Sequence, residues 1–549
     1  MSALAKGNQG RVNDARRAEH RMAILLVLLL GVFVAILNQT LLNVAIPHLM
    51  NAFNVSADTV QWLSTAYMLT TGVLVPLSAF LIGTFTTRQL FITSMMLFTL
   101  GSFICSISPT FSVMLLGRIV QAAGSGIMMP LMMTVILDLF PPQTRGKAMG
   151  TMAIALFFAP AIGPTLSGWI LDHWSWRLLF YVVIPIAVVD IILGIVMLPN
   201  VETPGPKPKL DGPGAVTSIV GFSTLLYGFS EAGSKGWGDS LVLTCIIIGV
   251  IFLVLFVIRE LTTPSPMLNL RVFRFDVFTL TTIIGSVVNM AMFGAMILTP
   301  IYLQNIRGFT PLQSGLLMLP GALLMGIMSP ISGALFDRIG VRPLAIIGLA
   351  ITAVTTWQFT KLTADTTYGH VMLLYTFRMF GMSFIAMTIQ TAGLNQLPRE
   401  LYSHGSAASN TVRQVASSLG TAILVSVMTT RTQVHYADYR NLMTINNPHL
   451  TQTVASLAQG LAAKMGLPLQ AGQGITNYLL YGLAMKQSTI DGINDAFWWA
   501  TIGTVIALIL SLFVRRVKVE KSRPMLPKPE DQPNAGYLVE SKEPRLVRT

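Results

Sequence analysis

The chain is dominated by apolar segments of about 20 residues, each long enough to cross the hydrocarbon core of a bilayer, and they recur along nearly its whole length. Because backbone in lipid must satisfy its hydrogen bonds internally, repeated segments of this length restrict the fold to a bundle of spanning helices. Charged residues are only 11% of the 549, about half the fraction usual in soluble proteins. We count fourteen segments, at about 22–47, 58–82, 89–107, 111–137, 146–171, 176–198, 213–230, 240–260, 277–303, 311–332, 343–361, 370–394, 405–430 and 496–516.

The net charge of +13 indicates topology rather than nucleic-acid binding. With fourteen spans and a cytoplasmic N-terminus, 25 of the 36 Lys and Arg residues fall inside and 8 outside, leaving Arg118, Arg378 and Arg413 within spans. Four of the outside residues lie in one long loop, which the positive-inside rule discounts. We therefore predict a multi-pass protein of the cell membrane with both termini cytoplasmic and no nucleic-acid partner.

The spans fall into two blocks of six that look like repeats. The segments that open the second and tenth spans, Val55–Leu63 and Phe309–Leu317, each carry a hydroxyl residue at a plausible helix start. We predict an all-α polytopic protein of two six-helix bundles plus two linking helices, with a substrate site between the bundles. The predicted parts are a cytoplasmic N-terminus 1–21, a first bundle 22–198, a cytoplasmic linker 199–212, two extra helices 213–260, a second bundle 277–516 with an extracellular loop 431–495, and a disordered cytoplasmic tail 517–549.

The loop between the tenth and eleventh spans reads G-A-L-F-D-R-I-G-V-R and contains Gly333, Asp337, Arg338, Gly340 and Arg342. It resembles the cytoplasmic loop signature of the major facilitator superfamily, G-x-L-x-D-R-x-G-R-R. The resemblance implies that these residues brace the cytoplasmic ends of the second bundle. It also implies that Asp337 locks an outward-open state, either by ion pairing or by contact with a helix N-terminus.

The fourth span contains a permanent cation, in the sequence R-I-V-Q-A-A-G-S-G that begins at Arg118. A charge in a membrane span is costly unless it meets a partner or water, so it marks a functional candidate. Gln121 lies three residues on and shares its helix face. The segment is similar to the fourth-helix motif of the superfamily, R-x-x-Q-G-x-G, whose arginine is linked to proton coupling; a structural cation held by carbonyl groups is the alternative.

The fifth span carries Ala159–Gly168, A-P-A-I-G-P-T-L-S-G, in which small residues recur every four positions around Gly163. Such spacing lets two helices approach closely, while Pro160 and Pro164 permit a bend. The segment, which ends on Gly168, resembles the antiporter motif of exporters in the superfamily. An ordinary kinked packing helix is a compatible interpretation.

The first span contains Leu37–Pro47, L-N-Q-T-L-L-N-V-A-I-P. It resembles the first-helix signature of the fourteen-helix drug:proton antiporter branch, L-D-x-T-I-V-N-V-A-L-P, and in particular lincomycin-resistance-type multidrug efflux proteins. Asn38 stands at the acidic position and cannot titrate. Its presence disfavours obligate dicationic substrates and leaves neutral, monocationic and anionic molecules open.

Few acids lie within the spans to carry a proton. Asp190 in the sixth span is the first candidate, because an unpaired carboxyl deep in a membrane must be neutral or partnered. Glu231, near the outer end of the seventh span, is the second. Together with Arg118 they form the predicted proton-coupling set.

Polar and aromatic side chains at several span positions form the predicted substrate cavity. The set is Asn38, Gln39, Asn43, Trp62, Tyr67, Gln121, Asn289, Gln390, Asn410 and Arg413. Tryptophan and tyrosine near span ends are also common interface anchors, so packing is the alternative for these.

The resemblance implies a proton-driven exporter of amphipathic compounds such as antibiotics and dyes, working as a monomer in membrane lipid with a proton gradient and no cofactor. An exporter of an endogenous lipid, fatty acid or metabolite is the main alternative, and a non-transporting sensor is a further one. No nucleophile motif, metal-ligand spacing, acidic cluster or phosphate-binding loop appears in the sequence, so we expect neither a catalytic nor a metal site and no use of ATP.

Overall fold

The computed structural model describes residues 2–55, 57–199, 211–264, 266–442 and 448–515. The predicted tail, and the predicted linker from 200 to 210, lie outside these residues. The α-helices are α1 (Ser2–Phe53), α2 (Ala57–Thr84), α3 (Thr87–Ile107), α4 (Phe111–Leu139), α5 (Arg145–His173), α6 (Leu178–Met197), α7 (Gly212–Lys235), α8 (Ser240–Thr262), α9 (Asp276–Ile301), α10 (Pro311–Ile339), α11 (Val341–Gln358), α12 (Tyr368–Ser383), α13 (Thr388–Leu394), α14 (Tyr402–Leu442), α15 (Pro448–Met465) and α16 (Leu469–Ser511).

Thirteen candidate spans of the described chain are long and apolar enough to cross a membrane, with α12 and α13 together forming one of them. The predicted seventh span is present as α7 but is not among the thirteen, because it is rich in Gly, Ser and Thr. The prediction of an all-helical membrane protein is confirmed. The twelfth span is broken at residues 384–387, beside the central cavity, where irregular backbone is tolerated in a membrane protein.

The two predicted bundles pair their helices in the same way. In the first bundle α1 packs on α5 and α6, α3 packs on α4 and α6, and α2 packs on α4. In the second, α9 packs on α14 and α16, α11 packs on α12 and α16, and α10 packs on α12. The helices α1, α2, α3, α4, α5 and α6 of the first bundle thus correspond in order to α9, α10, α11, α12, α14 and α16 of the second. The two halves therefore share one architecture, and α4 and α12 are the fourth helices of their bundles.

The bundles meet along two seams, and the inserted pair α7–α8 packs against one of them. Along one seam α5 packs directly on α10. Along the other, α2 packs directly on α14, and α7 contacts both of these helices while α8 packs on α7. Leu226 of α7 fits the surface of α2 at Gly72, and Ala422 of α14 belongs to the same buried cluster as Leu225.

The segment 431–495, predicted as an extracellular loop, contains three helical stretches in the described residues. The helices α14 and α16 extend through it, and α15 packs on α16. An ion pair joins the two extensions, with Arg431 Nε 2.5 Å from Asp495 Oδ2. We call the end of the molecule that carries α15 the cap end. The opposite end, where α4 ends and α5 begins, is the linker end.

Candidate functional site

A cavity of about 490 Å³ lies between the two bundles near the middle of their length. Its wall comes from α1, α2, α4 and α5 of the first bundle and from α9, α10, α12 and α14 of the second. Of the predicted cavity residues, the wall includes Gln39, Tyr67, Asn289, Asn410 and Arg413. Both bundles therefore contribute to one site, as expected for a transporter that binds its substrate at a repeat interface.

The wall is mostly apolar and rich in methionine. Methionine side chains are unbranched and polarizable, so they adapt to ligands of different shape. Among the described residues that line the cavity, the only charged side chains are Arg378 and Arg413. The methionines are Met68, Met128, Met129, Met292, Met296, Met318, Met379 and Met382.

Arg118 lies outside the cavity wall and is completely buried within the first bundle. Its Nη1 donates to Asn38 Oδ1 at 2.8 Å and to Gln121 Oε1 at 2.5 Å, and its Nε donates to the Leu63 carbonyl at 3.4 Å. The guanidinium carbon lies 4.2 Å from the centre of the Tyr67 ring. No described carboxylate forms an ion pair with it, so neutral acceptors and one π face hold this cation.

Tyr67 connects Arg118 to the cavity. Its ring lines the cavity and covers the guanidinium, and its hydroxyl donates to Ser125 Oγ at 2.7 Å. Gln121, the other predicted neighbour, donates from Nε2 to Ser102 Oγ at 2.7 Å and so ties α4 to α3. The structure thus brings Arg118, Gln121, Asn38 and Tyr67 together, with Tyr67 alone of the four reaching the cavity.

Two arginines of the second bundle do reach the cavity. Arg378 of α12 donates from Nε to Thr356 Oγ1 and from Nη2 to the Ala291 carbonyl, both at 3.2 Å. Arg413 of α14 donates from Nη1 to Gln390 Oε1. Arg378 was not among the predicted site residues, although a cation in an apolar span is the same signal that singled out Arg118.

Amide groups close the linker side of the cavity against a methionine of the first bundle. Gln390 Nε2 lies 2.9 Å from Met133 Sδ, and Asn410 Nδ2 lies 3.1 Å from the same sulfur. Asn410 also donates to the Ser406 carbonyl at 2.9 Å. Gln390 lines a small adjoining pocket rather than the main cavity.

Other predicted residues lie elsewhere. Trp62 is 40% exposed and stacks on Tyr227 of α7 with ring centres 5.5 Å apart, because α7 covers that face of α2. The side chains of Asn43 and Pro164 are outside the described residues. Nothing lies within 4 Å of a side chain added at Gly168.

The two predicted proton carriers have different surroundings. Asp190 is fully buried in α6, and neither of its carboxyl oxygens has a hydrogen-bond partner among the described residues. It faces Gly31 of α1, and it does not line the cavity. Glu231 forms an ion pair with Lys235, with Nζ and Oε2 2.8 Å apart. A charged Asp190 would be costly in this position, which marks it as the more unusual of the two.

Small residues hold α5 against α1 where the fifth-span motif lies. A Cβ added at Gly163 would overlap the side chain of Thr40, so only glycine allows this approach. Ser167 Oγ donates to the Leu41 carbonyl at 2.8 Å. Pro160 lines the cavity, so the motif connects helix packing with the cavity wall.

Asp337 joins the two bundles at the linker end. Its carboxylate accepts hydrogen bonds from the backbone N–H groups of Gly146 at 2.9 Å and Lys147 at 3.1 Å, in the first turn of α5. The backbones of Gly146 and Gly333 are in direct contact, leaving no room for a side chain. An anion at a helix N-terminus is favourably placed. Gly340 ends α10 with φ of +85°, a conformation that favours glycine.

Further contacts seal the same end. Arg145 donates to Asn395 Oδ1 at 3.0 Å and to the Tyr402 hydroxyl at 2.9 Å. Arg399 Nε lies 3.0 Å from Asp138 Oδ1. The contacts named here, together with the hydrogen bond from Ser406 Oγ to the Pro130 carbonyl, join the bundles on the linker side of the cavity. Arg338 and Arg342 are exposed at this end.

A comparison with known protein families identifies the family of the chain. The profile of the Major Facilitator Superfamily matches residues 28–421, which is most of the chain. The chain belongs to the major facilitator superfamily.

Within the described residues no cluster of three or more His, Cys, Asp or Glu side chains is placed to hold a metal ion.

Relatives within the superfamily place the chain in the predicted branch. It is 51% identical over 508 residues to the MFS-type transporter YhcA of Bacillus subtilis (strain 168), covering 92% of this chain and 95% of that protein. It is 41% identical over 501 residues to the lincomycin resistance protein LmrB of the same organism, covering 91% and 97%. The predicted resemblance to lincomycin-resistance-type proteins is confirmed.

A solved superfamily structure agrees with the fold. The proton:xylose symporter XylE, bound to 6-bromo-6-deoxy-D-glucose, superposes with a TM-score of 0.58 at 14% identity and covers 91% of this chain and 97% of that one. The fold and the relatives are those of a membrane transporter, and the chain is a multi-pass membrane protein.

Proposed function

We propose that this superfamily member is a proton-coupled exporter of amphipathic compounds, such as antibiotics and dyes, that works by alternating access and without catalytic chemistry. The observation that carries the proposal is the mid-length cavity with its adaptable methionine wall, which hydrogen bonds between the bundles close on the linker side. If the linker end is cytoplasmic, as the distribution of Lys and Arg predicts, this arrangement corresponds to an outward-facing state. The lincomycin resistance named for the 41% identical relative supports antibiotics as one substrate class.

Proton coupling is the second part of the proposal. Arg118 is a buried cation in contact with a tyrosine of the cavity wall, and Asp190 is a buried carboxyl in the same bundle without a described partner. A group of each kind within a membrane span is a functional candidate by default. We assign Asp190 as the proton carrier and Arg118 as the residue that makes its bundle sensitive to occupation of the cavity.

The test uses inverted membrane vesicles with an acidic lumen and a pH-sensitive dye. Addition of a lincosamide, a cationic dye or a fatty acid should release protons from the lumen for at least one class. Vesicles with Arg118→Gln protein provide the baseline, which matters because fatty acids carry protons across lipid unaided. Vesicles with Arg271→Gln, a change at an exposed arginine, should behave like the unmodified protein. Equal release from all three preparations would contradict coupled export.

Alternating access has a separate test. Both cysteines, Cys105 and Cys245, are first replaced, and Ser417 in the cavity wall is changed to Cys. A membrane-impermeant maleimide should label this position from the external side of cells, and from the cytoplasmic side only when transport is running. Labelling from one side under all conditions would contradict the proposal.

A further inference from the structure

Building on the proposed export function, we infer that the substrate is an amphipathic anion whose acidic group binds to Arg378 and Arg413 while its apolar part lies against the methionine wall. The shared chemistry is an oxyanion, a carboxylate or a phosphate ester, on an apolar body. The sequence leaves neutral, monocationic and anionic substrates open, and the cavity favours one of them.

The charge of the cavity is the first argument. Its described wall contains two guanidinium groups and no carboxylate. Neither Arg378 nor Arg413 forms an ion pair with any described residue, so no described carboxylate neutralises them. A cation entering the cavity would meet two like charges at low dielectric constant, whereas an anion would provide the missing counter-charge.

The free hydrogen-bond donors are the second argument. Arg378 uses Nε and Nη2 on neutral oxygens, and Arg413 uses Nη1 on the Gln390 amide oxygen. Arg378 Nη1 and Arg413 Nη2 have no described hydrogen-bond partner. Guanidinium donors match the planar geometry of carboxylates and the oxygens of phosphates, and these hydrogen bonds are stronger than those to neutral groups.

Comparison with Arg118 argues against a purely structural role. Arg118 is enclosed by three neutral acceptors and the Tyr67 ring; its Nη2 has no described partner either, but it lines no part of the cavity. Arg378, although only 1% exposed, and the partly exposed Arg413 instead belong to the wall of a cavity that a ligand of several hundred Å³ can occupy. A cation needed only for packing has no reason to border this space.

The distribution of apolar side chains completes the binding mode. Both arginines belong to the second bundle, on α12 and α14, while the facing wall of the first bundle contributes Met68, Met128 and Met129. An anionic amphiphile can therefore span the interface, with its acidic group on one bundle and its apolar body on the other. Methionines suit apolar bodies of varied shape.

The experiment measures equilibrium binding to the full-length protein in nanodiscs, using four probes with the same twelve-carbon chain. Radiolabelled laurate is the reporter, and dodecyl phosphate, dodecyltrimethylammonium and dodecyl maltoside are competitors; empty nanodiscs give the background. Laurate or dodecyl phosphate should bind at least about tenfold more tightly than dodecyltrimethylammonium. Whichever of the two anions binds more tightly identifies the acidic group as carboxylate or phosphate.

The variants assign the effect to the two arginines. Arg378→Gln and Arg413→Gln should each weaken anion binding about tenfold or more, and Arg271→Gln should leave it unchanged. Arg378→Lys keeps the charge but loses the planar donors, so it should fall between the unmodified protein and Arg378→Gln. If the Arg378→Gln protein does not fold, Arg378→Lys provides the test of this position instead.

Tighter binding of dodecyltrimethylammonium than of either anion would overturn the inference, as would anion binding within twofold of normal in folded Arg378→Gln and Arg413→Gln proteins. The assay contains no proton gradient, so it is independent of coupled export. Anion binding without proton release in vesicles would contradict the proposed function and leave the inference standing. Proton release driven by a cationic dye, without anion binding, would support the proposed function and contradict the inference of an anionic substrate.

Discussion

Arg118 and Arg378 each lie in the fourth helix of their bundle, yet their surroundings differ. Arg118 is enclosed by Asn38, Gln121 and the Leu63 carbonyl, and Tyr67 stands between it and the cavity. Arg378 binds two neutral oxygens and borders the cavity directly. A repeated architecture can therefore place a buried cation in both halves, while the neighbouring side chains decide whether it meets the substrate. In the proposed mechanism, the first half therefore serves coupling and the second half serves binding.

Removal of the enclosed cation should have the largest effect. Arg118→Gln deletes the charge and leaves Asn38 and Gln121 without their donor, and loss of charged hydrogen bonds worth about 3 kcal/mol corresponds to about a hundredfold loss in rate. We expect proton-coupled transport in vesicles to fall by about this factor, with laurate binding changed less than in Arg378→Gln. A variant in which binding falls and coupling survives would show that Arg118, too, is a binding residue.

Neutralisation of the buried acid in the same bundle should have the next largest effect. Asp190→Asn keeps the shape of the side chain but cannot exchange a proton, so proton release per substrate should fall about tenfold or more. Binding in nanodiscs should remain. Asp438→Asn, at an exposed acid of α14 outside the predicted sites, is the matched control. Unchanged coupling in Asp190→Asn would remove this residue from the mechanism.

The junction between the halves at the linker end should matter for turnover. Asp337→Ala removes the acceptor of two backbone N–H groups in the first turn of α5. This change should destabilise the state that is closed at the linker end by about 1–2 kcal/mol. Turnover should fall about five- to tenfold with laurate affinity nearly unchanged. Asp337→Asn retains one acceptor and should be milder. Lost affinity in a folded Asp337→Ala protein would contradict this division of roles.

The smallest effect should come from the residue that separates Arg118 from the cavity. Tyr67→Phe removes only the hydrogen bond to Ser125 and keeps the ring over the guanidinium, so a net loss of about 0.5–1 kcal/mol should slow coupled transport about two- to fivefold. Tyr67→Leu also removes the ring and should be worse. Equal activities of the two variants would show that the contact between ring and guanidinium does not contribute.

Much of the architecture could be predicted from the sequence, because local composition determines the apolar spans of membrane length and the polar loops between them. The face shared by Arg118 and Gln121 follows from helix periodicity. The repeat of six spans follows from the matching segments that open the second and tenth spans. The placement of Asp337 at the start of α5 corresponds to one of the two alternatives that the loop signature implied. These features depend on short segments, and each segment carries its own signal.

The composition of the cavity could not be predicted to the same extent, because it depends on how helices distant in sequence rotate against each other. Trp62 lies near the start of a span like any lining aromatic, but α7 covers its face of α2, and no local pattern indicates where an inserted helix will dock. The sequence marks Arg378 as a cation within a span but does not tell which way its side chain faces. It does not mark Arg145, because an arginine at a helix start is common and its partners Asn395 and Tyr402 belong to the distant second half.

The inserted helix α7 has a mechanical consequence. It contacts α2 of one bundle and α14 of the other while contributing no described residue to the cavity wall. In the proposed cycle the two bundles turn against each other, so α7 could not keep both sets of contacts unchanged. Either the packing of Leu226 at Gly72 or the packing on Ala422 would have to change in each cycle. The rate of transport would then depend in part on side chains of α7 that do not contact the substrate.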